Sequence, residues 1–297
     1  MEKVKVGGYM WAYPKEIKPE EPLLVKDETP IGREILLGLI FGFGYMTIIP
    51  LPFIFLIERL CSVWNVTLPD DVVSAISQLI GGVIVLGLMF GLVSKRTNKA
   101  IKKGVTQPNI LSGLVTGAIM YGLSILTSIA LVAIFGENIT NANEASLDVL
   151  ATEAPIVYCL LVCLVAPMVE EMIFRYYIYR PLERNRKVWH LEEGQLFTRK
   201  QYIINIIVAL LISTTLFAAI HLSSSIAAGT LATDIKTLPA YLIPALPLGI
   251  SYAKTKHIAT PIVAHMTYNT IIVFLSFATA NSNITSEVSQ MIVRLFK

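Results

Sequence analysis

Three short polar patterns interrupt the long apolar stretches of this 297-residue chain. They are a pair of glutamates followed by an arginine, a phenylalanine four residues before a histidine, and a histidine four residues before an asparagine. The residues concerned are Glu170, Glu171, Arg175, Phe217, His221, His265 and Asn269. Carboxylate, imidazole and amide groups together can activate a water molecule and stabilise an oxyanion. Ionisable groups within membrane segments are costly and mark functional sites, so the patterns predict a catalytic cluster.

Helical spacing assigns different directions to the members of each pattern. Residues four apart share one face of a helix, whereas adjacent residues diverge by about 100°. Glu171 and Arg175 are therefore expected to form an internal ion pair, which leaves Glu170 free to face a cavity. His265 and Asn269 share a face, so both can donate hydrogen bonds in the same direction.

Seven segments are long enough to cross about 30 Å of hydrocarbon as helices, and the motifs lie on the fourth, fifth and seventh. The predicted spans are Ile35–Ile57, Val72–Val93, Ile110–Phe135, Ala154–Leu182, Tyr202–Leu222, Thr237–Ala253 and Ile258–Ala280. The sixth is the weakest, because it has 17 residues and contains three prolines. The depth of His221 stays open: counted from Tyr202 it lies near the outer face, and it meets Glu170 only if the fifth helix projects into the cytoplasm.

The distribution of basic residues predicts the orientation of these spans. Most of the 24 Lys and Arg residues fall in the N-terminal tail and in alternate loops, and cytoplasmic loops retain such an excess. We therefore expect the N-terminus in the cytoplasm and, with seven spans, the C-terminus outside. The first 30 residues lack an apolar core, so no cleaved signal peptide is expected.

Composition supports a membrane protein and excludes other classes. Charged residues are 15% of the chain and hydrophobic residues 54%, with a mean hydropathy of +0.64, whereas a soluble globular protein has about 25% charged residues. Disordered, collagen-like and coiled-coil chains are excluded by the same values. The net charge of +3 is too small to indicate a nucleic-acid partner. We predict an all-α polytopic membrane protein of about seven transmembrane helices in one bundle, with the lipid bilayer as its surroundings.

Three regions follow from this segmentation. Residues 1–34 are predicted to be a cytoplasmic tail, residues 35–280 the helical transmembrane domain, and residues 281–297 an amphipathic tail. The motifs fall within residues 154–280. The C-terminal tail has apolar residues at helical spacing, which suits either a helix on the outer leaflet or ordinary packing against the bundle.

The order Glu-Glu-x-x-x-Arg, Phe-x-x-x-His and His-x-x-x-Asn on separate membrane helices resembles the CPBP family. This family comprises type II CAAX prenyl proteases, bacteriocin-processing and immunity proteins, and the proteins labelled abortive-infection. The resemblance implies a glutamate-type intramembrane endopeptidase that needs no metal or other cofactor and has a cavity open towards the cytoplasm. Its substrates would be prenylated peptides, propeptides or other membrane proteins.

The resemblance also implies roles for individual residues. Glu170 would be the general base and His221 would help to hold the attacking water. His265 and Asn269 would form the oxyanion hole. Glu171 and Arg175 would support Glu170.

Other functions remain open on the sequence. Two glutamates and two histidines could in principle bind zinc, although the His-Glu-x-x-His spacing is missing and Asn269 would have no role as a ligand. The protein could instead be a non-enzymatic membrane scaffold or immunity protein. A proton-coupled transporter that uses Glu170 as a relay is a further alternative, but no internal repeat of the kind common in transporters is visible.

Overall fold

The computed structural model describes residues 16–17, 31–92, 102, 104–136, 141–185, 187–190 and 197–280. Within these ranges the helices are α1 (Ile31–Phe43), α2 (Leu51–Trp64), α3 (Asp70–Leu92), α4 (Gln107–Phe135), α5 (Ala142–Glu153), α6 (Pro155–Glu183), α7 (Arg199–Ile220), α8 (Ser223–Ala228), α9 (Leu231–Asp234), α10 (Leu238–Thr255) and α11 (Ala259–Ala280). A π-helical turn (Gly44–Ile48) links α1 to α2, and 3₁₀ turns lie at Lys187–Trp189 and Ile235–Thr237. The two-residue strands β1 (Glu16–Ile17) and β2 (Phe197–Thr198) pair antiparallel.

The prediction of an all-α polytopic membrane protein is confirmed. Six helical runs in the described residues are long and apolar enough to cross a membrane: Ile31–Trp64, Asp70–Leu92, Gln107–Phe135, Pro155–Glu183, Arg199–Ile220 and Ala259–Ala278. The predicted sixth span corresponds to α10, which is an 18-residue helix with Pro244 and Pro247 in its interior. Because α10 is not among the six runs, seven is an approximate count of the spans.

The outer surface of the bundle is apolar. Helix α2 buries none of its residues, and its Phe55 and Trp64 are 66% and 71% exposed. A soluble protein seldom exposes large contiguous apolar patches, so surfaces of this kind suit contact with lipid.

Helices α4 and α11 approach each other closely through two glycines spaced four apart. A Cβ atom added to Gly113 would lie 2.7 Å from Val263 Cβ, and one added to Gly117 would lie 2.6 Å from the Ala264 oxygen. Small residues at this spacing let helix backbones approach in membranes, where packing replaces the hydrophobic effect as the main driving force. The α4 helix carries no catalytic motif, yet it supports the helix that carries His265 and Asn269.

Helix α6 forms the centre of the core and is irregular. It contains two π-helical segments, Leu161–Val165 and Met172–Tyr179, with Glu170 and Glu171 in the α-helical turn between them. Every residue of the second segment is buried. Short π-helical segments within α-helices occur frequently at functional sites.

A polar cluster joins four helices at one end of the bundle. Glu34 of α1 pairs with Arg180 Nη2 at 3.3 Å and also with Arg184, while Glu183 pairs with Lys256 and accepts a hydrogen bond from the Tyr202 hydroxyl at 3.1 Å. The predicted topology places all of these residues on the cytoplasmic side, and the structure brings them to the same end.

The predicted tails relate to the structure in different ways. Helix α1 begins at Ile31 and buries Glu34, so the last residues of the predicted 1–34 tail belong to the bundle. Apart from β1, the rest of that tail lies outside the described residues, as does the predicted 281–297 tail.

Candidate active site

One cavity of about 670 Å³ brings together the residues of the three motifs. Its lining includes Glu170 from α6, Phe217 and His221 from the end of α7, and His265 and Asn269 from α11. Glu170 and His265 are buried, with 7% and 4% of their surface exposed. The carboxylate, both imidazoles and the amide therefore share one cavity.

Glu171 links the arginine of the first motif to the histidine of the third. Its Oε1 accepts a hydrogen bond from Arg175 Nη1 at 3.0 Å, as the i, i+4 spacing predicts. The same oxygen lies 3.0 Å from His265 Nδ1. Glu171 and Arg175 are fully buried. The pair therefore forms a contact within α6 and, through Glu171, also binds His265 of α11.

This contact assigns the proton on the Nδ1 atom of His265. An ionised carboxylate that is paired with an arginine can only accept hydrogen bonds, so Nδ1 carries the hydrogen. In the neutral imidazole, Nε2 then has the free lone pair, and it lies 3.7 Å from Glu170 Oε2. Nε2 can donate a hydrogen bond only after it has gained a proton.

Phe217 packs the motif residues together. Its ring lies 5.3 Å from the Phe174 ring and 5.6 Å from the His265 ring between centroids. The Arg175 guanidinium lies 4.9 Å from the Phe217 centroid and also donates to the Ala245 carbonyl at 3.2 Å. The motif phenylalanine is therefore a packing residue between the ion pair and the two histidines.

His221 follows the last residue of α7 and reaches the cavity from there. Its Nδ1 lies 2.8 Å from the Phe217 carbonyl oxygen, which fixes the ring against its own helix. Tyr202, near the start of α7, bonds Glu183 at the end of α6. Helix α7 extends from that end of the bundle to His221, and His221 lines the same cavity as Glu170.

Asn269 is held by a backbone carbonyl of α6. Its Nδ2 donates to the Val162 oxygen at 2.8 Å. Pro167 lacks the N–H that would reach this carbonyl in a π-helix, and the Ala166 N–H is bonded to the Leu161 oxygen. The amide of Asn269 therefore satisfies a carbonyl in the π-helical segment, and its second N–H is available for another acceptor.

Sequence reasoning missed a polar cluster beside His221. The Tyr241 ring stacks on the His221 ring with centroids 4.5 Å apart and an interplanar angle of 27°. Asn141 Nδ2 donates to the Tyr241 hydroxyl and to Thr237 Oγ1, both at 2.9 Å. A lone tyrosine in a proline-bearing segment gives no sequence signal for such a contact. The irregular geometry of α6 does have a sequence signal, which is Pro167, three residues before Glu170.

Charged groups outside the spans complete this cluster. Asp234 accepts hydrogen bonds from Thr230 Oγ1 at 2.7 Å, Thr233 Oγ1 at 2.9 Å and the Ala142 N–H at 3.2 Å. These bonds lower the pKa of Asp234 to about 2, and the bond from Thr230 has the largest effect. Burial instead raises the pKa of Glu144, whose side chain lines the cavity.

In the part of the chain that the structure describes, no group of three or more His, Cys, Asp or Glu side chains is arranged to hold a metal ion. The two glutamates and two histidines of the motifs thus do not form such a group in this region.

A known protein family matches the segment of the chain that carries the motifs. Residues 152–271 match the family model described as type II CAAX prenyl endopeptidase, Rce1-like. The motif-bearing segment is therefore similar to this family. The match covers all seven motif residues and confirms the resemblance inferred from them.

Two curated bacterial proteins are similar to the chain. "Membrane-embedded CAAX protease MroQ" of Staphylococcus aureus (strain USA300) is 27% identical over 150 residues, which are 50% of each chain. "Putative membrane peptidase YdiL" of Bacillus subtilis (strain 168) is 27% identical over 186 residues, which are 57% of this chain and 64% of that protein. The chain thus spans between half and two thirds of the length of these relatives. No solved structure gives a significant match.

Proposed function

We propose that this protein is an intramembrane endopeptidase of the glutamate type, which hydrolyses peptide bonds of membrane-associated substrates. The observation that carries the proposal is that Glu170, His221, His265 and Asn269, from three helices, line one cavity. The Rce1-like match over the same segment and the similarity to a protein named as a membrane-embedded CAAX protease support it.

The first chemical step is attack of water on the scissile carbonyl. Glu170 removes a proton from a water molecule that His221 also holds, and the water oxygen forms a bond to the carbonyl carbon. The carbonyl electron pair moves onto oxygen and creates an oxyanion. Glu170 lines the cavity together with His221, so both side chains can reach the same water molecule.

The oxyanion is stabilised by groups on α11. Asn269 offers the Nδ2 hydrogen that is not used by Val162, and His265 offers Nε2–H when its imidazole is protonated. Glu171 keeps the other proton of His265 on Nδ1, so the ring presents Nε2 to the cavity. Glu170 then gives its proton to the leaving amide nitrogen as the C–N bond breaks, which returns the site to its starting state.

The size of the cavity is compatible with a short peptide segment. A volume of about 670 Å³ lies within the range of ligand pockets, and the lining mixes apolar and polar side chains. Two substrate classes fit the proposal: CAAX-type prenylated peptides, and propeptide or bacteriocin-related segments anchored in a membrane.

The test is cleavage by the purified protein in lipid nanodiscs. The probes are a quenched fluorescent peptide with a farnesylated cysteine near its C-terminus, the same peptide without the lipid, and a membrane-anchored leader peptide. Glu170→Gln removes the base at nearly constant size and is expected to lower turnover by about 10²–10⁴-fold. Glu153→Gln is the matched control, because Glu153 is exposed on α5. Full turnover in Glu170→Gln would contradict the proposal.

Independence from metal is tested on the same preparation. Treatment with a strong chelator is expected to leave turnover unchanged, because the proposed base, water-holding residue and oxyanion donors are all protein groups. Loss of activity on chelation, with recovery on addition of zinc, would favour the zinc alternative.

A further inference from the structure

We propose that Tyr241 is a positioning residue for His221: its stacked ring holds the imidazole in the orientation needed to bind the attacking water. This inference rests on the proposed function and extends it to α10, which carries no part of the three motifs.

The stack is the main contact that fixes the plane of the His221 ring. The rings of His221 and Tyr241 are nearly parallel, at 27° and 4.5 Å between centroids. On α7, the Phe217 ring lies 4.8 Å from the imidazole at an angle of 48°. The imidazole is therefore placed between an aromatic ring of its own helix and one from a different helix.

The hydrogen bond to Phe217 selects the tautomer of His221. A carbonyl oxygen can only accept, so Nδ1 carries the hydrogen in the 2.8 Å contact. Nε2 keeps the lone pair and is the nitrogen that can hold a water molecule. This assignment holds only while the ring keeps its present orientation, because a flip of the ring would place Cδ2 near the carbonyl.

His221 lies at the junction of two helices. Helix α7 ends at Ile220, the His221 N–H bonds back to the Ala219 oxygen, and α8 begins at Ser223. Tyr241 contacts the imidazole from α10, a helix on neither side of this junction.

Tyr241 is itself fixed at its hydroxyl. The buried Asn141 donates to it from Nδ2 at 2.9 Å, and the hydroxyl lies 3.3 Å from Glu144 Oε1. Asn141 also caps α5 by accepting from the Glu144 N–H at 3.0 Å. A chain of contacts thus runs from the start of α5 through Tyr241 to the imidazole.

The kinetic test separates the ring from the hydroxyl. Tyr241→Leu removes the stack and is expected to lower kcat by about 10–100-fold, since misplacement by about 1 Å can cost about 10²-fold, with little change in KM. Tyr241→Phe keeps the stack and is expected to retain most of the kcat of the unaltered protein. Tyr121→Leu, a matched change on α4 outside the cavity lining, is expected to leave kcat unchanged. Equal kcat in Tyr241→Leu and the unaltered protein would overturn the inference.

A spectroscopic test does not depend on turnover. In protein labelled with ¹⁵N-histidine, the His221 signals are assigned by their loss in His221→Asn, and they should show hydrogen on Nδ1. In Tyr241→Leu we expect averaging between the two tautomers, whereas Tyr241→Phe should keep the signals of the unaltered protein. Unchanged His221 signals in Tyr241→Leu would overturn the inference even if kcat fell. If no probe peptide is cleaved but these signals change as expected, the proposed function fails while the positioning of His221 by Tyr241 stands.

Discussion

One oxygen of Glu171 contacts both Arg175 Nη1 and His265 Nδ1, each at 3.0 Å. The two adjacent glutamates of the first motif therefore have different positions and different tasks. Glu170 faces the cavity, and Glu171 faces the interior of the bundle, where it joins α6 to α11. The i, i+4 rule predicts the bond to Arg175, and the bond to His265 adds a reason for a carboxylate at position 171.

Glu171→Ala is expected to destabilise the folded protein strongly. It leaves the buried Arg175 charge without its carboxylate, and breaking a buried pair in this way costs about 3–5 kcal/mol. Thermal unfolding in detergent measures the effect, with the exposed Glu153→Ala as the control. Glu171→Gln keeps the shape and one acceptor, so we expect it to fold better than Glu171→Ala but to turn over more slowly. A melting temperature of Glu171→Ala equal to that of Glu153→Ala would contradict the prediction.

Gly117→Leu is expected to disrupt the packing of α4 on α11. A Cβ at Gly117 would lie 2.6 Å from the Ala264 oxygen and 2.7 Å from Thr267 Cβ, and overpacking costs about 1–3 kcal/mol or more. Gly122→Leu on the same helix is the control, because nothing lies within 4 Å of an added Cβ there. We expect lower stability and lower turnover for the first variant only, as read by thermal unfolding and peptide cleavage. Similar losses in both variants would show that glycine matters for a reason other than close packing.

Asn269→Ala is expected to reduce catalysis. Loss of one oxyanion donor costs about 10²–10³-fold in kcat, or about 2.7–4 kcal/mol. The change also leaves the Val162 carbonyl without its amide donor, so stability should be measured beside kcat. Asn269→Asp is a useful partner, since a carboxylate would repel an oxyanion while it keeps the size of the side chain. Normal kcat in Asn269→Ala would remove Asn269 from the proposed oxyanion hole.

Asp234 is expected to make the stability of the folded protein pH-dependent in the acidic range. Its pKa is lowered to about 2, below the value of about 3.9 for an ordinary aspartate, so its carboxylate stabilises the folded protein at neutral pH. That contribution is complete above about pH 4 and is lost as the pH falls from about 4 to about 2. Asp234→Asn should therefore lower the melting temperature at pH 7, and the difference from the unaltered protein should shrink at pH 3. The exposed Asp70→Asn is the control, and an equal deficit at both pH values would contradict the prediction.

The sequence predicted the helical membrane architecture because its signals are local. Long apolar runs and the uneven distribution of Lys and Arg indicate spans without knowledge of packing, and the i, i+4 spacing predicts the contact between Glu171 and Arg175. The number of spans depends on α10, a continuous helix with Pro244 and Pro247 in its interior that is not among the six long apolar runs. The orientation across the membrane remains a prediction.

Contacts between distant helices could not be predicted in the same way. The bond from His265 to Glu171 and the stack of Tyr241 on His221 depend on how helices pack, which no local spacing expresses. The hydrogen bond from Asn269 to the Val162 oxygen required knowledge of the π-helical backbone. The proposed catalytic roles of Glu170, His221, His265 and Asn269 stay predictions that the experiments above address.

The two π-helical segments of α6 constrain the length of the chain as well as its composition. Each residue of an α-helix turns the chain by about 100°, so deletion of one residue that converts a π-helical segment to an α-helix would rotate everything beyond it by about that angle. Glu170 and Glu171 lie between Leu161–Val165 and Met172–Tyr179. Deletion in the first segment would turn these glutamates relative to the part of α6 before Leu161, and deletion in the second would turn them relative to Arg180. A single-residue deletion in α6 should therefore be more harmful than most substitutions at the same positions.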